Sequence, residues 1–265
     1  MSGSFDPEQI LDYWAEQALT HGESPDASWS DTPVIGMEIA ELSKHLCEGD
    51  WVLDIGCGNG YSTVQLARRH RISIRGLDAT PDMIETARRR LQAGAHELRG
   101  EVEFAVGDIT ALQESDGRYN KVIVVRVLIN LATWGRQQTA LRECARVLKP
   151  GGLLLASEAT LQGWRSLNEF RAEWQLPPIP MPSFNTYLDE EKVVECLASS
   201  MNLVGIVNFA STYYVGTRVL KPLLAKALGL ESKVPDPNMH WNRWFSQLPP
   251  FGAYGTQKLF LFQKR

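Results

Sequence analysis

Residues 51–62, WVLDIGCGNGYS, set a short apolar run of Val52, Leu53 and Ile55 directly before a turn built on Gly56, Gly58 and Gly60. An apolar run closed by glycines reads as a buried strand, and the stretch from about Tyr61 reads as the helix that follows it. Three glycines at a strand's carboxyl end let the backbone pass close beneath a ligand, where a Cβ would collide. The third glycine arrives one residue too early for the G-x-G-x-x-G dinucleotide fingerprint, because Tyr61 follows Gly60. Outward from this turn the pattern repeats. A strand is expected at Ile72–Leu77 and a helix from Pro81, where proline suits the first helical turn. Strands follow in EVEFAVGDI and YNKVIVVRVL, then a helix over roughly Arg136 to Leu148 stopped by Lys149-Pro150-Gly151-Gly152, then a fifth strand in LLLASEA. Strands alternating with helices mean βαβ units and a parallel sheet.

The alternation ends after Thr160. Residues 161–188 carry Pro177, Pro178, Pro180 and Pro182 among Trp164, Phe170, Trp174, Phe184 and Tyr187, which suits an ordered loop or short helices. A helix is expected from Asp189, a sixth strand in LVGIVNFA from Leu203, and a seventh in the terminal KLFLFQKR. Tryptophan and proline are distributed unevenly. Of eight tryptophans only Trp51 and Trp134 lie between His45 and Thr160, and twelve of fourteen prolines lie outside that span. The chain therefore reads as a plain α/β middle with aromatic additions, and the additions are where a substrate site is expected.

The 265 residues are 44% apolar and 22% charged, the balance of a globular domain able to bury a core. A mean hydropathy of -0.21, with no apolar run near ~18 residues, excludes a membrane span. The opening MSGSFDPEQILDYW lacks the basic start and apolar run of a secretory signal, so a cytoplasmic protein without membrane association is expected. Net charge is -4, which argues against DNA or RNA as a partner. The basic clusters at Arg68-Arg69-His70-Arg71 and Arg88-Arg89-Arg90 read as solvated helix ends or faces. Cys47, Cys57, Cys144 and Cys196 form no C-x-x-C pair, so no metal site or disulfide framework is expected.

Two acids complete the central motif. Asp78 closes the second strand, where a carboxylate can accept from a ribose diol, and Asp108 closes the third, where one can accept from an adenine amine. The segments VLDIGCGNGYS, GLDAT, VGDI and LRECARVLKPGGLLLASE together resemble the class I S-adenosylmethionine-dependent methyltransferases of the small-molecule type, over about Trp51 to Glu158. The resemblance implies an α/β, Rossmann-like, seven-stranded and mostly parallel sheet with an antiparallel last strand, and a discontinuous cap over the carboxyl edge. Residues 1–265 are then one domain. Its cofactor core is about 45–160 with 189–210 and 258–265, and its cap comes from 1–40, 161–188 and 211–257. The implied cofactor is S-adenosyl-L-methionine, with S-adenosyl-L-homocysteine as product. Asp54, Gly56, Cys57, Gly58 and Gly60 are implied near its methionine part and Asp78, Ala79 and Met83 at its ribose and adenine. Asp108 and Ile109 are implied at the adenine, with backbone contacts from Arg126 to the methionine part.

Methyl transfer from a sulfonium demands alignment of nucleophile, carbon and sulfur more than it demands a base. The fourth strand runs on as Arg126-Val127-Leu128-Ile129-Asn130, without the N-P-P-Y-like motif of DNA amino-methyltransferases. A small molecule is thus the expected partner, a natural-product or sugar amine being slightly preferred over an alcohol or acid. Tyr13, Trp14, Trp29 and Asp31 are expected in a lid. Asn130, Trp164, Phe184, Tyr187, Tyr214 and Arg218 are expected in a second wall. Candidate catalytic bases are His21, Glu158 and Tyr213, followed by His240. An NAD-dependent oxidoreductase and a non-catalytic cofactor-binding module stay open as alternatives. Oligomeric state is left undecided.

Overall fold

The computed structural model describes residues 6–265. Its seven strands are β1 (Trp51–Ile55), β2 (Ser73–Asp78), β3 (Glu101–Val106), β4 (Tyr119–Val125), β5 (Leu148–Ala159), β6 (Met201–Val207) and β7 (Gln257–Lys264). They form one sheet in the order β3-β2-β1-β4-β5-β7-β6. β1 runs parallel to both β2 and β4, whereas β7 is antiparallel to β5 and β6. The order reverses between β1 and β4, and that switch point opens a crevice beyond the strands' carboxyl ends.

Alternate residues of each central strand face opposite layers. Leu53, Ile55, Val122, Val124, Leu154, Ala156, Phe260 and Phe262 pack toward α5 (Trp134–Val147) and α7 (Glu190–Leu197). Val52, Ile123, Leu155, Leu259 and Leu261 pack on the other face, toward α2 (Thr32–Ser43) and α3 (Tyr61–Arg69). With both faces covered, the strands are apolar throughout rather than alternating in polarity.

Five further helices lie around this core: α1 (Pro7–His21), α4 (Pro81–Gly94), α6 (Leu161–Glu173), α8 (Ser211–Val215) and α9 (Lys221–Leu228), with α10 (His240–Phe245) before β7. Asp6 and Gln9 form a capping box that starts α1 at Pro7. Its residues Ile10, Trp14, Gln17 and His21 recur at helical spacing and line one chamber with residues of the sheet edge. The stretch 161–188, read as loop or short helices, holds a helix of 13 residues, because Thr160 caps it through Gly163 N–H and the four prolines begin only after its end. Between α8 and α9 the chain makes a π-helical turn over Gly216–Leu220. Among the described residues no helix is long and apolar enough to cross a membrane.

Candidate active site

The glycine turn is held down by the second strand. Gly56 N–H and Cys57 N–H both donate to the Leu77 carbonyl, at 2.6 and 2.9 Å, and Gly58 N–H donates to Asp78 Oδ2 at 2.9 Å. Gly56 and Gly58 have φ of 74° and 52°, a region that glycine enters without penalty. Asp78 Oδ1 accepts from Thr80 N–H, so the carboxylate is fixed while its outer lone pairs face the crevice wall shared with Ala79 and Met83. Among the described residues Asp108 is held through one oxygen, by Thr110 N–H and Oγ1, and lies with Ile109 in the same lining. Asp54 at the end of β1 is 4% exposed, and its one side-chain partner among the described residues is the Thr63 hydroxyl at 2.6 Å. Burial pushes its carboxyl up to about 6. A buried carboxylate without a cation among the described residues suits an incoming ammonium, and the three acids together fit the amino-acid, ribose and adenine parts of S-adenosylmethionine.

Gly60 is placed differently from the expectation. It does not line the chamber; it precedes α3 with φ 72°, and a Cβ there would stand 2.7 Å from the Phe104 ring. Its glycine is required by packing beneath the turn. Arg126, at φ 55°, directly follows β4, and its carbonyl accepts from Asn130 Nδ2 at 2.7 Å. Its guanidinium pairs with the buried Glu38 of α2 and lies 5.3 Å over the Trp29 ring.

Glu158 is displaced from the role of base. It is fully buried, does not line the chamber, and accepts from the backbone N–H groups of Val127, Leu128 and Ile129 at 2.8–3.3 Å. Burial pushes it up to about 8, and those three donors oppose the rise. It anchors the loop after β4 on which Asn130 sits. Tyr213 is likewise buried outside the lining: its hydroxyl donates to Asp31 Oδ1 at 2.6 Å and accepts from Asn242. Asp31, expected in the lid, is 4% exposed and spent on Tyr213 and on Arg218, to which it gives an ion pair of 2.5 Å. His240 opens α10 away from the lining. Of the candidate bases, His21 alone lines the chamber.

The remaining expected substrate residues converge. Tyr13, Trp14, Trp29, Asn130, Trp164, Phe184, Tyr187, Tyr214 and Arg218 line one cavity of about 870 Å³ that is continuous with the crevice of Asp54, Asp78 and Asp108. Tyr13 of α1 meets Phe184 with ring centroids 5.0 Å apart, joining the N-terminal helix to the segment after α6. Thr186 N–H donates to the Ile129 carbonyl at 2.7 Å and Asn185 Nδ2 to Asn130 Oδ1 at 2.8 Å, tying that segment to the loop after β4.

Two residues that the sequence reading passed over hold the lid. Asn59, inside the glycine turn, donates through Nδ2 to the carbonyls of Gly22 and Ser24 at 2.9 and 2.8 Å. Arg90 of α4, read as part of a solvated cluster, donates to the carbonyls of Asn59 and Glu23. The position of Asn59 between two turn glycines was the only available signal, and its partners lie more than thirty residues away.

A family model described as "Methyltransferase domain" matches residues 52–152. The chain is 29% identical over 172 residues to "O-methyltransferase rstn1" of Aspergillus nomiae, covering 63% of this chain and 72% of that protein. It is 37% identical over 113 residues to "Fatty-acid O-methyltransferase" of Mycolicibacterium smegmatis, covering 42% of this chain and 38% of that one. The fold is similar to that of magnesium protoporphyrin IX methyltransferase from Synechocystis with bound SAH, with a TM-score of 0.55 at 14% identity over 99% of this chain and 90% of the other. The β3-β2-β1-β4-β5-β7-β6 sheet, the acids at its carboxyl edge and these matches lead to one conclusion: the chain carries a methyltransferase domain, matched over residues 52–152, on the fold of the S-adenosylmethionine-dependent methyltransferases.

Proposed function

We propose that the chain transfers a methyl group to an oxygen atom of an apolar small molecule enclosed between α1 and the segment 161–188. The observation that carries this reading is the sign of charge in the chamber. Its lining acids are Asp26, Asp54, Asp78 and Asp108. The last three stand in the cofactor crevice, and Asp26 is exposed and engaged by the Ser24 hydroxyl. Among the described residues, the aromatic half around Tyr13, Trp164, Tyr187 and Tyr214 therefore offers Arg218 and no carboxylate. An ammonium or amine acceptor would be buried there without an opposite charge, which is costly; an oxygen acceptor pays no such penalty. The relatives named as O-methyltransferases support the same choice over the amine first preferred from sequence.

When bound, S-adenosylmethionine supplies an electrophilic methyl carbon and a neutral thioether leaving group. Asp54 would take its ammonium, Asp78 its ribose hydroxyls and Asp108 its adenine amine. The aromatic wall then excludes water and holds the acceptor in line, and such positioning contributes up to ~7–11 kcal/mol in favourable intramolecular cases. His21, in the last turn of α1, makes no side-chain hydrogen bond among the described residues and lines the chamber, which supports its reading as the acceptor of a hydroxyl proton. Release of S-adenosylhomocysteine, measured with matched pairs of apolar alcohols or acids and the amines of the same skeleton, tests the reading. Turnover with the oxygen compounds is expected; turnover confined to the amines overturns it.

A further inference from the structure

The wall around Arg218 buries more positive than negative charge. Arg171 of α6 is 7% exposed, and its guanidinium donates to the carbonyls of Pro177 and Arg218, with no carboxylate partner among the described residues. Lys221 is 6% exposed and donates to Asn242 Oδ1 at 2.8 Å and the Asp236 carbonyl at 2.6 Å. Arg218 itself pairs with Asp31. Among the described residues these three cations thus share one ion-paired carboxylate, with the exposed carboxylate of Asp236 also acting on Lys221. Burial holds Arg171 and Lys221 below their ordinary values, as expected where charge is removed from water without full compensation.

Unused donors face the same place. Tyr214 is 5% exposed and lines the chamber, and its hydroxyl has no hydrogen-bond partner among the described residues. Tyr187 is half-buried, lines the chamber as well, and its hydroxyl also has no hydrogen-bond partner among the described residues. Arg218 lies 5.0 Å over the Tyr214 ring and spends one N–H on Thr217 Oγ1 and one on Asp31 Oδ2, out of the five a guanidinium carries. It projects from the π-helical turn Gly216–Leu220, a rare form of helix that recurs at functional sites. Both tyrosine hydroxyls stand in the lining of the chamber without a partner among the described residues, so each is free to donate to a bound group.

We propose that Tyr187, Tyr214 and Arg218 form an anchor for a carboxylate carried by the otherwise apolar substrate. A carboxylate is acceptor-only, so its lone pairs can receive the two phenolic O–H groups and the free guanidinium N–H groups, while its charge offsets the excess cation. A neutral amide of the same shape would do neither. The inference rests on the oxygen-methylation reading and narrows it to acidic substrates.

The test is equilibrium binding to the S-adenosylhomocysteine complex, followed by quenching of Trp14, Trp29 and Trp164, all of which line the chamber. The probes are 4-phenylbutyrate against 4-phenylbutanamide and decanoate against decanamide. Each acid is expected to bind at least about tenfold more tightly than its amide, the range for a hydrogen bond to a charged group. The advantage should shrink several-fold in Tyr214→Phe, nearly vanish in Arg218→Gln, and partly survive in Arg218→Lys, with affinity for S-adenosylhomocysteine unchanged in all three. Equal binding of acid and amide, no binding of either acid, or a preference that survives both Tyr214→Phe and Arg218→Gln overturns the proposal. Oxygen methylation would then still stand if alcohols release S-adenosylhomocysteine. A carboxylate preference with turnover confined to amines would instead overturn the oxygen reading and leave the anchor in place.

Discussion

Replacing Asp54 by asparagine should separate folding from cofactor binding. The carboxyl group is 4% exposed, has one hydrogen bond from Thr63, and is raised by burial from its ordinary 3.8 up to about 6. In the unfolded chain it ionises near the ordinary value. Between about pH 4 and 6 the native state therefore holds more protons than the unfolded state, and stability falls as pH rises through that window. At about 1.36 kcal/mol per tenfold change, the ionised group costs the free protein ~3 kcal/mol at neutral pH. The side-chain amide of the Asp54→Asn variant keeps an acceptor for Thr63 without the charge. Thermal melting of the cofactor-free variant at pH 7.5 should rise by about 6–12 °C, at ~2–4 °C per kcal/mol for chains of this size. At about pH 4.5 the gain should fall to roughly a third, because the wild-type group is then largely protonated when folded. Calorimetric affinity for S-adenosylhomocysteine should fall by about 10–100-fold, the loss expected for one charge-assisted contact. Identical melting at both pH values together with unchanged affinity would refute the assignment of Asp54 as an unpaired acid awaiting an ammonium.

Three other substitutions test the surrounding structure. Asn59→Ala removes both side-chain hydrogen bonds to the carbonyls of Gly22 and Ser24, so amide exchange over Pro7–His21 should quicken about thirtyfold at ~1 kcal/mol for each bond lost; unchanged exchange would mean that the clip does not hold the lid. Gly56→Ala places a Cβ 2.0 Å from Val127 Cγ2 at φ 74°, and melting should report a loss of about 1–3 kcal/mol from overpacking alone. Glu158→Gln sets an amide against three backbone N–H groups. It should lower stability by about 1–3 kcal/mol and reduce turnover at every pH, whereas loss of one limb of the pH–rate profile would restore Glu158 as a base.

The sheet was legible because its signals are local. Val52, Leu53 and Ile55 before Gly56 mark a strand and a turn within ten residues, and the Lys149-Pro150-Gly151-Gly152 stretch punctuates the chain just as locally. Asp54, Asp78 and Asp108 were legible for the same reason, since each lies at or just beyond a strand's carboxyl end and the parallel sheet brings those ends together. Misplaced residues were those whose partners are distant in sequence. Tyr213 and Asp31 are 182 positions apart, and only the fold reveals that they satisfy each other rather than a substrate. Glu158 carries the same lesson: a carboxylate at a strand end looks catalytic until three backbone donors from 29–31 residues earlier are found on it. Gly60 was read as a ligand-contact glycine, but the constraint on it is the Phe104 ring, on the third strand.

The most direct test of the account is transfer of a carbon-13 methyl group from labelled S-adenosylmethionine to a panel of apolar acids and alcohols and their amine counterparts, read by NMR of the products. The account predicts label in methyl esters or ethers, formed in step with S-adenosylhomocysteine and lost in Asp78→Ala, whose carboxylate is assigned to the ribose hydroxyls. Label appearing only on nitrogen, or transfer to oxygen that continues unchanged in Asp78→Ala, would contradict it.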